Sequence, residues 1–239
     1  MPALPTLADL ATTLAPYVDA ERYTREGDPA GVWIASDRPV HCLGLRLDAG
    51  RAPYGWLRAD VDALLVHRPF GLWPARLPAG LGVLAVHRAL DDRFATGHNP
   101  ALAAALGLAL DAEPLRRGGA VVGMVGTLED AAADAEARVV AAFGGAEATA
   151  GEPLDEATAR VAVVGAMTEA LVRDAAARGA GLYVTGQMRP PAMEAVGQTG
   201  MRVVAVGQRR SERWGLRHVG GLLAAAFPGL AVVDLDDAA

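Results

Sequence analysis

The second half of the chain alternates short apolar runs with segments of helical periodicity, and this alternation restricts the fold more than any other feature. Strands are predicted over residues 120–125, 160–165, 181–185, 201–206 and 231–235, and helices over residues 128–142, 166–178, 192–199 and 211–226. Strands that alternate with helices are typical of parallel or mixed sheets covered by helices. The first half also contains several strands and helices. The sequence therefore predicts an α/β fold with two similar lobes of mixed or parallel sheet, residues 1–117 and 118–239.

Composition and charge argue against a protein that binds nucleic acid or spans a membrane. The chain has 22 Lys and Arg residues against 28 Asp and Glu residues, which gives a net charge of −6. It has no stripe rich in lysine or arginine of the kind that binds a phosphate backbone. No apolar run reaches the length of a membrane span. Residues 1–20 lack the basic start and apolar core of a signal peptide, so we expect a cytoplasmic protein.

Cysteine usage limits the metal chemistry. Cys42 is the only cysteine, so the chain has neither an intrachain disulfide nor a cage of thiolate ligands. Any metal ion must therefore be bound by histidine and carboxylate side chains.

The first segment of interest is an apolar run that ends in a histidine. Residues 63–66 are apolar and predict a buried strand, and they are followed by His67, Arg68 and Pro69. Proline cannot donate to a sheet ladder, so the strand ends at or just before Pro69. His67 and Arg68 are thus placed at the carboxyl end of a strand, where open α/β sheets bind ligands. The alternative is that His67 caps a turn.

A second histidine follows the next apolar strand, and an acidic residue comes four residues later. The run from Gly82 to Val86 predicts this strand, and His87 and Asp91 come after it. His67 and His87 can therefore point into the same crevice at the carboxyl edge of the sheet. The alternative is an ordinary turn in which Asp91 or Asp92 caps a helix.

Two other segments are typical of helix starts. The pair Asn99-Pro100 predicts the start of a helix over residues 99–110. Near the C-terminus, the segment from Gly207 to Glu212 leads from a strand into a polar turn that contains Gln208 and a carboxylate. This second segment is either part of a site or an ordinary helix start with Ser211 as its N-cap.

Taken together, these segments resemble the Nif-three-like family, often labelled GTP cyclohydrolase 1 type 2 homologue. Its members have a strand ending in His-His-Pro, a segment His-Thr-Asn-Leu-Asp, and a late Gly-His pair followed four residues on by Glu. The chain matches these in order with His67-Arg68-Pro69, His87 to Asp91 and Gly207 to Glu212. It also has a helix ending in Leu-Gly-Leu and, where the family has Thr-Gly-Glu, the residues Thr185-Gly186-Gln187.

The resemblance implies an α/β chain that assembles into a hexameric ring and holds two metal ions in a cleft between its lobes. By position, His67 is similar to the first histidine of the family pair, and Asp91 and Glu212 to its two shared carboxylates. His87 matches the histidine before Asp91, so we expect it to act as a catalytic general base or to orient a ligand. Gln208 stands at the late histidine, where its carbonyl oxygen is a weak ligand.

Three departures from the family pattern bear on the metal content. Arg68 replaces the second histidine, Gln208 replaces the late histidine, and Gln187 replaces a glutamate. Arginine stays protonated and has no acceptor, so it cannot ligate a metal. We therefore expect one divalent ion per chain, zinc, manganese or iron. We also expect the guanidinium of Arg68 within salt-bridge reach of Asp91 or Glu212, in place of the second ion. The alternative is that Arg68 points to solvent and the site is empty.

The resemblance implies a metal-dependent hydrolase that acts on a small molecule, either a nucleotide or another phosphoester. The alternative is a non-catalytic member that keeps the ring as a scaffold, which the loss of two ligands favours. A further alternative is an unrelated α/β protein in which the short motifs occur by chance. In either of the first two cases the expected partner is the chain itself, in a homo-oligomer that is most simply a hexamer.

Overall fold

The computed structural model describes residues 4–128, 135–154 and 159–236 of the chain. The chain forms two compact units, one made of residues 1–90 and 215–239 and the other of residues 91–214. The position 117/118, at which the sequence analysis divides the chain, lies within the second unit. The first unit is discontinuous because the last strand of the chain joins its sheet.

The first unit contains a five-stranded sheet. Its strands are β1 (Ala30–Ile34), β2 (Cys42–Asp48), β3 (Ala63–Arg68), β4 (Gly82–Val86) and β12 (Ala231–Asp234). The spatial order is β1-β4-β3-β2-β12, and β1 alone is antiparallel to its neighbour. The neighbouring strands β3 and β4 are parallel, so their carboxyl ends lie at the same edge of the sheet. His67, the fifth residue of β3, and His87, which directly follows β4, therefore both lie near this edge.

The first unit also contains helices, and the first of them has a clear capping signal at its start. They are α1 (Leu7–Val18), α2 (Ala20–Arg25), the start of α3 (Arg88–Arg93) and the later part of α8 (Gln208–Ala226). Thr6 and Asp9 form a reciprocal capping box at the start of α1. The leucine spacing predicts this helix correctly, and its buried residues are Leu7, Leu10, Leu14 and Val18. A side chain at Gly82 would clash with Leu7, at 2.9 Å, so the glycine lets α1 pack closely on β4.

The second unit contains a seven-stranded mixed sheet. Its strands are β5 (Leu108–Leu110), β6 (Leu115–Arg117), β7 (Ala120–Leu128), β8 (Ala148–Ala150), β9 (Arg160–Val164), β10 (Leu182–Thr185) and β11 (Arg202–Ala205). Strands β9, β10 and β11 are parallel, and the other pairings are antiparallel. Alternate residues of β9 face two different hydrophobic clusters, Val161 and Val163 on one side and Ala162 and Val164 on the other. This sheet is therefore buried on both faces.

Helices cover this second sheet, as the predicted α/β class requires. They are α4 (Pro100–Leu106), α5 (Ala135–Phe143), α6 (Glu169–Ala177) and α7 (Met193–Thr199). The last helix, α8 (Gln208–Ala226), continues past the end of the second unit. The mixed α/β class predicted from the sequence is thus confirmed. None of the helices described is both long and apolar enough to cross a membrane.

Some predicted helix bounds are wrong, among them one end each of α4 and α8, and α6, which is predicted from residue 166, begins at Glu169. Asn99 caps α4 as predicted, since its side chain accepts from the amide of Leu102, but the helix ends at Leu106 instead of residue 110. Gly107 has a φ of 68° and turns the chain, so that the next three residues pair with β7. Helix α8 begins at Gln208 instead of residue 211, so Ser211 lies inside its first turn and is not its N-cap. The predicted first turns of α5, at 129–134, lie outside the described residues.

Candidate metal site

His67 is fully buried at the carboxyl end of β3. Its Nδ1 atom lies 2.9 Å from the carbonyl oxygen of Val86, the last residue of the neighbouring strand. A carbonyl oxygen can only accept, so Nδ1 carries the proton and Nε2 carries the lone pair. The pairing of β3 with β4 thus fixes the tautomer as well as the position of this imidazole.

His87 lies directly after β4 and is oriented by a carboxylate. Its Nδ1 atom donates to Oδ1 of Asp28 at 2.8 Å, and Oδ2 of Asp28 accepts from the backbone amide of Arg88. The ring of His87 also meets the edge of Phe70, with centroids 5.1 Å apart, and lies 5.3 Å from the ring of His67. With Nδ1 held by Asp28, the neutral ring of His87 presents Nε2 as its lone-pair nitrogen.

Asp91 completes a group of three ligand-bearing side chains. It lies on α3, one helical turn after the residue that follows β4, and the boundary between the compact units falls inside this helix, just before Asp91. One ligand atom from each of His67, His87 and Asp91 lies within 4.8 Å of the other two. The spacing of His87 and Asp91 in the sequence is therefore the spacing that one helical turn requires to bring them together.

The donor set of this group fits a divalent metal ion. Two imidazoles and one carboxylate form a set that zinc, iron and manganese accept. Histidines that bind metals almost always donate their other ring N–H to a carboxylate or a backbone carbonyl. His67 and His87 show one arrangement of each kind, through Val86 and Asp28.

Individual buried atoms support the same conclusion. Among the described residues, three buried side-chain atoms make no hydrogen bond: Nε2 of His67, Oδ1 of Asp91 and Oε2 of Glu212. Each of these three residues also has interactions within the protein. All three are ligands in the set that the sequence predicts, and buried polar atoms of this kind are usually hydrogen-bonded.

Glu212 and Gln208 lie one turn apart in the first part of α8. Glu212 is fully buried, and its Oε1 atom accepts a hydrogen bond from Nε2 of Gln208 at 3.1 Å. Ser211, between them in sequence, accepts from the backbone amide of Thr96 at 2.7 Å and donates to the hydroxyl of Thr96. The group of three described above contains neither Glu212 nor Gln208. Their role as metal ligands stays a prediction.

Arg68 forms an ion pair with Asp48, Nη1 to Oδ1 at 3.1 Å, and about a third of its side chain is exposed. The two residues are register partners on β3 and β2, which explains their contact. Cross-strand pairing of this kind cannot be inferred from the sequence around Arg68. Its expected approach to Asp91 or Glu212 stays a prediction.

Asp28 is the functional residue that the sequence analysis missed. It lies in the polar segment before β1, and 59 positions separate it from His87. No local motif marks it. The one signal in the sequence is an acidic residue directly before Pro29, whose carbonyl accepts the backbone amide of His87 at 3.0 Å.

Comparisons with known proteins identify the family. The model of the Duf34/NIF3 family (NGG1p interacting factor 3) matches residues 5–237. A curated protein of Pseudomonas aeruginosa, "GTP cyclohydrolase 1 type 2 homolog", is 26% identical over 246 residues, with 94% of each chain covered.

Two solved structures have the same fold. The structure of protein ybgI has a TM-score of 0.71 at 20% identity and covers 96% of this chain and 97% of its own. TTHA1606 from Thermus thermophilus has a TM-score of 0.64 at 24% identity, with 95% and 96% covered. The match of the family model over nearly the whole length is decisive, and the chain belongs to the Duf34/NIF3 family.

Proposed function

We propose that this protein is a metal-dependent hydrolase that acts on a nucleotide or another phosphoester, with one divalent ion held by His67, His87 and Asp91. The observation that carries the proposal is the meeting of these three side chains, two of them imidazoles with fixed Nδ1 protons. A divalent ion bound there would supply a Lewis acid and lower the pKa of a bound water.

The residues of the chain prepare this site in three ways. The carbonyl of Val86 and the carboxylate of Asp28 hold protons on the Nδ1 atoms, which leaves both Nε2 lone pairs available to a ligand. The carboxylate of Asp91 offsets part of the charge of the ion. His67 lies in β3 and His87 directly follows the paired strand β4, so the sheet positions both imidazoles before a ligand binds.

The family relationship supports the proposed substrate class. The Pseudomonas aeruginosa relative is named a homolog of GTP cyclohydrolase 1 type 2, which supports a purine nucleotide as the first substrate to test. An unrelated α/β protein with chance motifs is excluded, because the family model matches residues 5–237.

Metal analysis of full-length protein purified without added metal tests the proposal. We expect about one zinc, manganese or iron per chain in the wild type and much less in His67→Ala and Asp91→Ala. His41→Ala is the matched control, since the side chain of His41 is 68% exposed. Hydrolysis should require the ion and fall at least about a hundredfold in Asp91→Ala. Full turnover in excess chelator, or unchanged turnover in Asp91→Ala, would rule the mechanism out.

A second candidate is a non-catalytic scaffold that assembles from copies of the chain. The observation that favours it is the presence of Arg68 and Gln208 at two positions where the family pattern has histidine. Light scattering separates assembly from monomer: we expect a closed homo-oligomer, most simply six chains of 24.6 kDa each. An assembled protein with neither bound metal nor turnover would favour the scaffold. A monomer would count against the homo-oligomer.

A further inference from the structure

The second unit has a cavity at the carboxyl ends of its parallel strands. Its volume is about 670 Å³, which is within the range of small-molecule sites. Its wall contains Gly165, directly after β9, Thr185 at the end of β10, and Gln208, which follows β11. Ligands of α/β sheets bind at this edge, because backbone amides and loop side chains converge there.

Two arginines give this cavity a positive wall. Arg117 at the end of β6 and Arg189 before α7 both line it. Neither guanidinium makes an ion pair with any residue in the described part of the chain. The one acidic residue in the wall, Glu169, is bound to Arg173 at 2.8 Å. The uncompensated charge of the wall is therefore positive, and an anion is the ligand that it favours.

The start of α6 and a buried hydroxyl face the same cavity. Thr168 caps α6, and helix starts carry amides without intrahelical acceptors and a partial positive charge. Thr185, the last residue of β10, is 1% exposed and lines the cavity. Its hydroxyl is a polar group in the wall that can donate a hydrogen bond to an acceptor on a ligand.

Two glycines at this edge of the sheet leave no room for a side chain. A Cβ atom at Gly165 would lie 2.7 Å from the carbonyl oxygen of Thr96, and one at Gly186 would lie 2.8 Å from Oε1 of Gln208. Gly165 follows β9 and Gly186 follows β10. The two glycines therefore let Thr96 and Gln208 pack closely against the ends of these strands.

A smaller cavity, of about 140 Å³, adjoins the first within the same unit. Arg117, Gly165, Ala166 and Gln208 line both cavities. The smaller cavity also reaches Asp91, one of the three proposed metal ligands. One ligand can thus contact the arginine wall at one end and approach Asp91 at the other.

We propose that the cavity between Arg117, Arg189, Thr185 and the start of α6 binds a phosphate group of the substrate. This inference rests on the proposed function and specifies its substrate class as a phosphorylated small molecule. The two guanidiniums bind phosphate oxygens, the hydroxyl of Thr185 donates to a third oxygen, and the remainder of the molecule extends toward Asp91.

Calorimetric titration of chelator-treated, full-length protein tests the phosphate site without the metal. The probes are inorganic phosphate, guanosine monophosphate and guanosine. We expect both phosphates to bind, and guanosine to bind at least about tenfold more weakly than its monophosphate. Arg117→Gln and Arg189→Gln should each weaken the binding of both phosphates at least about tenfold. Thr185→Val, which keeps the shape of the side chain, should weaken it several-fold.

Arg116→Gln is the matched control. Arg116 is the exposed neighbour of Arg117, donates to the carbonyl of Gly119 at 2.9 Å and does not line the cavity. Its variant should bind as the wild type does. Equal affinities in Arg116→Gln and Arg117→Gln would overturn the proposal, as would a wild type that binds neither phosphate. Binding of inorganic phosphate without binding of guanosine monophosphate would overturn its assignment to the substrate.

The phosphate site and the proposed hydrolase can fail separately. His67→Ala should lose metal and keep phosphate binding, whereas Arg117→Gln should keep metal and show a KM raised at least about tenfold. Suppose that phosphate binding depends on the arginines but the protein has neither metal nor turnover. This result would contradict the hydrolase proposal and support the phosphate site. Metal-dependent turnover with an unchanged KM in both arginine variants would contradict the phosphate site and support the hydrolase proposal.

Discussion

The carboxylate of Asp28 accepts a hydrogen bond from Nδ1 of His87 at 2.8 Å. The other carboxylate oxygen accepts the backbone amide of Arg88 at 2.9 Å. One side chain thus fixes both the imidazole and the start of the helix that carries Asp91. Asp28 is itself well shielded, with a tenth of its side chain exposed.

Asp28→Asn should weaken metal binding about 10- to 100-fold, because an amide has one acceptor oxygen and cannot serve both donors. Titration of the metal-free protein with zinc, read by calorimetry, measures this change. Asp37→Asn is the control, since Asp37 is exposed and lies in a loop. Equal zinc affinity in the two variants would mean that Asp28 does not orient a ligand.

The start of α4 allows a test of the fold that is independent of the site. Asn99 is 1% exposed, accepts from the amide of Leu102 at 3.1 Å and donates to the carbonyl of Phe94 at 2.8 Å. Asn99→Ala removes both hydrogen bonds and should lower the free energy of unfolding by about 2–3 kcal/mol. Asn99→Ser keeps a cap and should lose about half as much. Urea unfolding measures both, and equal losses would contradict the role of the cap.

Burial lowers the pKa of His218 in α8 below its usual value. The unfolded chain then binds more protons than the folded chain as the pH falls through about 6.5, so this residue reduces stability in acid. We expect the free energy of unfolding to decrease between pH 7.5 and pH 5.5, and to decrease less in His218→Leu. Urea unfolding at the two pH values measures the difference. A decrease of the same size in His41→Leu and His218→Leu would contradict this assignment.

Features that depend on a few neighbouring residues were predictable from the sequence. The apolar run before His67 and the proline after Arg68 define the end of β3, and Asn99-Pro100 define the start of α4. The spacing of His87 and Asp91 is likewise local, since His87 directly precedes the short helix α3 that carries Asp91.

Features that depend on pairing between distant segments were not predictable. The hydrogen bond of Asp28 with His87 joins positions 59 residues apart. The sequence places the last strand, β12, in the second half of the chain, but this strand pairs with β2 in the first sheet. The ion pair of Arg68 with Asp48 follows from the register of β2 and β3. Hydrophobic periodicity gives the faces of an element but not its neighbours.

The last prediction concerns the number of ions per chain. In the family pattern, histidines stand at the positions of Arg68 and Gln208, and neither present side chain is a good metal ligand. We expect the double change Arg68→His with Gln208→His to raise the metal content from about one ion per chain to two, because it supplies two imidazole ligands.

Elemental analysis after growth in zinc-supplemented medium measures this number. The single changes Arg68→His and Gln208→His serve as controls and should stay closer to one ion, since each adds one ligand only. Asp48 also loses its guanidinium partner in both variants that change Arg68, so the thermal unfolding of these two should be compared with that of Arg68→Gln. An exposed pair of this kind contributes little, about 0–1 kcal/mol, and the fold should survive. If the double variant folds and still holds no more metal than the wild type, the missing histidines do not explain the single ion.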